Sequence, residues 1–464
     1  MPCEKHELRP ITGPIRPGAR LPLVPRAGLP RALFLVAASL LAIGTLNRAP
    51  AAEHGPPADQ AHPSNGPKRV PRVAAVVTAY FHNSHADVLV SRLLETMTLD
   101  GKGIPATERL VSLYVDQPES SAYGLGIARK FGVPVFKTVQ EALCGGGQSL
   151  AVDGVLLIGE HGRYPLSPTG QVIFPKRRLF AQILDVFDRS GRVVPVYVDK
   201  HLADNWEDAK WIYDSARRRG FPLMAGSSLP VTWRFPPLNV PRDARIREIA
   251  ATAYGALEAY GFHGLEIIQC LAERRAGGET GVRSVQTLTG AQIWKGAQSG
   301  VFSRALVEAA LSRRGTTPTG TGSLAARRVD LEHDLVNPVV VVVTYRDGLR
   351  GTLLYADNLI EWNAAWQDAR TGRIESTHFW TQEARPFMHF TYLLGGIEQM
   401  IASGKPAWPV ERTLLTTGIL NAFFISKQQG GRPLETPWLD IRYHSDWDWH
   451  QPPPPPPGRP IQGQ

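Results

Sequence analysis

Cysteine is scarce in this chain, with three in 464 residues. That count excludes a small disulfide-stapled scaffold, in which cysteines are dense. Cys144 and Cys270 are the two that lie outside the N-terminal region, and one bridge between them is the most the sequence offers. A membrane-length apolar run is missing as well. The segment ALFLVAASLLAIGTL spans 32–46, short of the roughly 20 residues that cross a bilayer as a helix. It follows Arg16, Arg20, Arg26 and Arg31 and precedes Ala49-Pro50-Ala51, the layout of a secretory signal peptide. Residues 1–52 are therefore expected to direct export to the periplasm or beyond, with no stable membrane span afterwards; an over-extended start codon or an uncleaved anchor is the alternative. No twin arginine precedes the apolar run, which favours a Sec-type route. A strong charge imbalance is also lacking. The formal charge is +9, but beyond residue 52 the chain has 44 Lys and Arg against 40 Asp and Glu. That near balance gives no electrostatic case for a nucleic-acid partner.

What the sequence does have is ordinary globular composition, 43% hydrophobic and 20% charged, with length enough for two cored domains. Residues 53–70 form a linker rich in Pro, Ala, His and Gly, and 446–464 form a Pro-rich tail. Between them, short β-branched runs alternate with helical patterns. Strands are expected at 73–79, 110–116, 133–136, 153–159, 193–198 and 221–226, and helices at 85–97, 120–131, 176–189 and 203–219. Such alternation specifies an α/β, Rossmann-type doubly wound parallel sheet, here over 71–235. From about 240 the strands lengthen, and 337–357 turns through Asp347-Gly348, a hairpin signal. An α+β domain with a mainly antiparallel sheet follows over 236–445. Helices at 261–275, 303–313, 389–403 and 411–428 are expected to cover one face of it, and 315–323 reads as a surface loop.

The first strand-turn-helix, VVTAYFHNSHADVLV over 76–90, has the shape of a nucleotide-binding unit without its glycines. In a dinucleotide turn, glycines permit the tight bend and let backbone amides approach the pyrophosphate. Thr78, Tyr80 and Asn83 stand in their place.

Several segments, in order, resemble the glucose-fructose oxidoreductase, inositol dehydrogenase and MocA family of nicotinamide-dependent sugar oxidoreductases. These are VDQPESSAYGLGIARKFGVPVFKTVQEAL (115–143), VDGVLLIGEH (152–161), VYVDKHL (196–202), YGFHGLE (260–266) and the closing helices at 390–431. The resemblance implies a site for NAD or NADP at Thr78, Asn83, Asp116, Glu160 and Lys200, with Asp116 on ribose hydroxyls. It implies catalysis by Lys200, which orients and polarises a substrate hydroxyl, and by His263, which takes its proton. The family's aspartate falls at Ala259 in this chain, leaving Glu266 or Glu258 to stand in. His201 replaces a family proline, and 162–176 is an insertion. A homo-oligomer formed through the open face of the second sheet is a further expectation of the resemblance.

Ligands in open parallel sheets bind beyond the carboxyl ends of the strands. His82 and His85 follow the first strand, Glu160 and His161 the fourth, and Asp199, Lys200 and His201 the fifth, with His263 and Glu266 facing them from the second domain. Imidazoles and carboxylates of this kind suit sugar hydroxyls. A divalent metal is an alternative, although neither H-N-S-H nor E-H is a metal signature, and no metal ligand set is assigned. Arg177-Arg178, Arg217 to Arg219 and Arg274-Arg275 lie at or near helix ends and read as solvated surface. The expected function is an exported oxidoreductase-like protein that acts on or binds a small carbohydrate. A non-catalytic binding protein and a metal-assisted hydrolase or lyase are the alternatives.

Overall fold

The computed structural model describes residues 69–455, apart from 318–319, 322–329 and 383. The segment expected to be a signal peptide, nearly all of the expected linker and the last prolines lie outside the described residues. Those described fall within one compact unit, Pro67–Gln464.

Six parallel strands form the first sheet: β1 (Arg72–Val77), β2 (Arg109–Val115), β3 (Val135–Phe136), β4 (Gly154–Ile158), β5 (Val196–Asp199) and β6 (Leu223–Gly226), in the order β3-β2-β1-β4-β5-β6. Between them run α1 (His85–Leu94), α2 (Ala122–Lys130), α3 (Val139–Cys144), α4 (Lys176–Ser190) and α5 (Trp206–Arg219). Strand periodicity divides β1 between two cores. Val73, Ala75 and Val77 pack with α1, while Ala74 and Val76 pack with α3, α4 and α5. The pattern reading missed α3, because six residues are too few to show a period. Its signal is local: Thr138 and Glu141 close a capping box, and Gly145 ends the helix in a left-handed conformation.

The second sheet contains β7 (Trp233–Phe235), β8 (Ile246–Ala253), β9 (Val282–Thr289), β12 (Val339–Tyr345), β13 (Arg350–Tyr355), β14 (Trp362–Asp368), β15 (Ile374–Trp380) and β16 (Leu434–Glu435). A separate two-residue pair, β10 (Thr316–Thr317) and β11 (Gly320–Thr321), falls within the expected loop. The large sheet runs β16-β9-β12-β13-β8-β14-β15-β7, antiparallel except for the β13–β8 pair. The expected hairpin joins β12 to β13, with Val339 opposite Tyr355.

Helix coverage differs from expectation. The remaining helices are α6 (Leu257–Ala272), α7 (Ala291–Gln298), α8 (Arg304–Leu311), α9 (His389–Ser403) and α10 (Glu411–Gln428). Only α6 and α10 share the face expected of all four helices. Through Leu306, Val307 and Ala310, α8 packs on the opposite face against Val340, Val342 and Ala365. That covers part of the surface expected to stay open for self-association. In turn α9 leaves this sheet altogether: Leu393, Leu394, Ile397 and Met400 join the core of the first sheet with Val73 and Leu89. An apolar helix stripe reveals that a helix is buried, not which sheet buries it.

Three smaller expectations are also corrected. Cys144 and Cys270 are free, and each is buried in a different core. Arg274 and Arg275 are not solvated cations: Arg275 bridges Glu279 and Asp347, and Arg274 pairs with Asp448. The start of the tail is docked rather than free. Trp233 Nε1 donates to the Pro453 carbonyl and Trp449 Nε1 to that of Thr232.

Candidate active site

The switch in strand order lies between β1 and β4, so the crevice opens above the carboxyl ends of β1, β4 and β5. Buried at its floor is Glu160, two residues past β4. Lys200, immediately after β5, donates from Nζ to Glu160 Oε2 at 2.6 Å. On the other side Lys176, the first residue of α4, pairs with Glu160 Oε1. Lys176 also donates to the carbonyls of Lys200, at 2.6 Å, and of His201. The insertion thus ends in an ammonium that fastens the loop carrying Lys200. Burial alone would raise the Glu160 carboxyl, but the two ammonium groups outweigh it and hold it well below the usual carboxylate range. Burial likewise opposes the charge on Lys200, yet Glu160 and Asp199 carry its net shift upward.

Imidazoles surround this pair. His85, at the first position of α1, has Nδ1 2.6 Å from Asp199 Oδ2. Its ring meets those of His161 and Phe390 edge-on at 5.3 and 5.1 Å. His263, on α6, contacts Trp362 and Tyr260. His389, at the start of α9, was not among the expected residues, because its helix was assigned to the other sheet. Buried nitrogens on His161, His263 and His389 lack hydrogen-bond partners. Burial is the largest reason these rings stay neutral: it takes His161 and His389 down to about 3, and pushes His263 well below its ordinary value.

Other expected residues are brought elsewhere. Glu266 is fully buried, and its carboxylate accepts from the backbone and side chain of Ser227, clamping the turn after β6. That turn begins at Gly226, where φ is +123° and a Cβ would strike the Glu266 carboxylate. Burial raises Glu266 to about 7. Glu258 accepts the Val172 N–H at 2.9 Å and is likewise raised by burial to about 7. Asp116 does stand after β2, but both oxygens are taken: Arg178 spans them at 2.7 and 2.8 Å, and Tyr114 and Tyr164 each donate at 2.8 Å. Arg178 is thus paired with Asp116 while remaining about half exposed to solvent. His82 is exposed and lies toward Tyr123.

The turn after β1 is self-satisfied. Tyr80 points inward, its N–H on Ser121 Oγ and its hydroxyl 2.7 Å from Ser91 Oγ. Room for its ring comes from Gly124 on α2, where a Cβ would collide with it. Thr78 is buried under the His161 backbone. Asn83 holds a left-handed conformation, φ 63°, which glycine and asparagine adopt most readily. Its N–H donates to Asp87 Oδ2 at 2.8 Å, and the Ser84 hydroxyl takes those of Phe81 and Asp87. Arg385 then closes on Asp87 at 2.6 Å. Phe81 packs edge-on against His161, 5.1 Å away, across the mouth of the groove.

No family model matches the sequence, and no curated protein matches it. Solved structures do. GenD2 from gentamicin A biosynthesis, in complex with NAD, aligns over 80% of this chain and 98% of its own, at 16% identity and a TM-score of 0.51. The fold is that of the glucose-fructose oxidoreductase, inositol dehydrogenase and MocA family. Two further solved structures that align with this chain are a myo-inositol dehydrogenase from Lactobacillus casei in complex with NAD(H) and myo-inositol, and one from Corynebacterium glutamicum. The first is 12% identical over 79% of this chain and 97% of its own, with a TM-score of 0.49. The second is 13% identical over 79% and 99%, with a TM-score of 0.47.

The residues present do not fit a dinucleotide bound in the usual manner. An anionic pyrophosphate would meet the buried Asp87 carboxylate at α1, and ribose hydroxyls would meet an Asp116 already fully engaged. Among the described residues no group of three or more His, Cys, Asp or Glu side chains is disposed to hold a metal ion. None of their helices is long and apolar enough to cross a membrane.

Proposed function

We propose that this chain is an exported, oxidoreductase-like protein of the sugar dehydrogenase type that acts on or binds a small carbohydrate in the crevice above β1, β4 and β5. The observation that carries this reading is the buried Lys200–Glu160 pair ringed by neutral imidazoles. Lys200 supplies a fixed ammonium for a substrate oxygen, and the unpartnered nitrogens of His161, His263 and His389 offer hydrogen bonds to hydroxyls. Glu160 keeps Lys200 charged and aimed. His263, neutral and with an unpartnered buried Nδ1, is placed to orient a hydroxyl.

Shared fold with GenD2, described with NAD, supports NAD or NADP as a cofactor; the engaged Asp116 and the Asp87–Arg385 closure count against it. No step is therefore derived through a dinucleotide. That closure also favours a second reading, a binding protein that retained the two-domain crevice without the redox site. Export rests on the N-terminal sequence, and a homo-oligomer would have to form outside the area that α8 covers.

Native mass spectrometry and calorimetric titration of the mature protein test the reading. Binding of a polyol or sugar that is lost in Lys200→Met is expected. Failure of Lys200→Met to weaken binding would refute the site, and a retained dinucleotide would restore the redox role.

A further inference from the structure

The reading above leaves the His85–Asp199 pair without a task. Asp199 is fully buried at the end of β5, and its Oδ1 accepts the Tyr197 hydroxyl at 3.1 Å. Its Oδ2 faces His85 Nδ1 at 2.6 Å. A carboxylate in that place accepts a hydrogen bond from Nδ1–H and so favours the tautomer whose Nε2 carries the lone pair. The His85 side chain keeps 16% exposure, against 4% for Lys200, so a ligand in the crevice can reach it. Position 259, where the resemblance expects an acid on α6, is alanine, and Glu258 and Glu266 are committed to Val172 and Ser227. The groove that would hold a hydride acceptor is occupied by Asp87, Arg385, Asp116, Arg178 and Tyr164. Removal of a carbon-bound hydrogen as a proton needs no acceptor in that groove.

We propose that His85 is the general base of this crevice, positioned by Asp199, and that it catalyses redox-neutral proton transfer at the carbon next to a carbohydrate carbonyl. His85 Nε2 takes the proton. The C–H electron pair becomes the carbon–carbon double bond of an enediolate, and the carbonyl π pair moves to oxygen, where the Lys200 ammonium holds the charge. The imidazolium exchanges its proton with solvent and delivers one back to carbon, so atoms and electrons balance with no co-reactant beyond water. The inference rests on the carbohydrate reading of the crevice.

The test is hydrogen exchange in deuterium oxide, followed by NMR, with D-fructose, D-glucose and a keto-inositol as probes and calorimetric binding measured alongside. Wild-type protein is expected to exchange the carbonyl-adjacent hydrogen of at least one probe. His85→Ala should lose about 100-fold or more in rate, regain part of it with added imidazole, and still bind the probe. Asp199→Asn should lower the exchange rate at saturation without weakening binding, a split that a merely structural role would not produce. Binding without exchange, or exchange unchanged in His85→Ala, overturns the proposal and leaves the carbohydrate reading standing. Absence of binding by all three probes overturns both.

Discussion

Lys200 Nζ lies 2.6 Å from Glu160 Oε2, while Lys176 holds the other oxygen of the same carboxylate. One buried anion thus serves two buried cations, and it ties the inserted segment, β4 and β5 into a single unit.

Glu160→Gln should therefore be costly. Removing one partner of a buried ion pair strands the other, at about 3–5 kcal/mol, and here it strands two ammonium groups. Lys200→Met should cost less, because Lys176 still satisfies Glu160. Urea denaturation of the two variants checks the order, and equal stability would mean that solvent already compensates the pair.

The contact between Tyr80 and Gly124 makes a second case. Alanine is the better helix former by about 1 kcal/mol, so Gly124→Ala would stabilise an unobstructed helix. The Cβ would instead strike the Tyr80 ring, and overpacking typically costs about 1–3 kcal/mol. Net destabilisation is expected in wild type, and partial relief in a Tyr80→Ala background, which removes the two nearest ring carbons and leaves only Cβ in contact. A double-mutant cycle reads the coupling, and additive effects would place the ring elsewhere.

Acid should act through the buried imidazoles. Burial first, then nearby Arg92, takes His389 from its ordinary 6.5 to about 3. The folded value lies below the unfolded one, so this stability is fully present above the unfolded pKa and is lost as pH falls from 6.5 toward 3. His389→Gln should thus narrow its stability gap to wild type as pH drops through that window, by on the order of 5 kcal/mol at full effect. Parallel stability curves would show that His389 titrates normally.

The order of elements and the two-sheet plan were legible in the chain because strand runs, helical periods and the Asp347-Gly348 turn are local signals. So was the set of polar groups that gathers at strand ends, since a parallel sheet places every such end on one edge. Lys200, Glu160, His161, His85 and Asp199 could be gathered from sequence for that reason. Their pairing could not. Nothing local distinguishes Lys176 from other helix-initial lysines, and only packing shows it reaching Glu160. Nor does the sequence reveal that Asp116 is spent on Arg178 and Tyr164, 62 and 48 residues away.

By itself, then, the sequence determined the fold class, the edge where chemistry belongs, and the loss of the glycines that dinucleotide turns use. Tertiary structure alone decided that α9 closes the first sheet and brings His389 to the crevice, that Glu266 turns to Ser227, and that Asp87 and Arg385 occupy the start of α1. Periodicity records that a side chain is buried, whereas its partner is set by long-range closure of the chain, for which no local pattern exists.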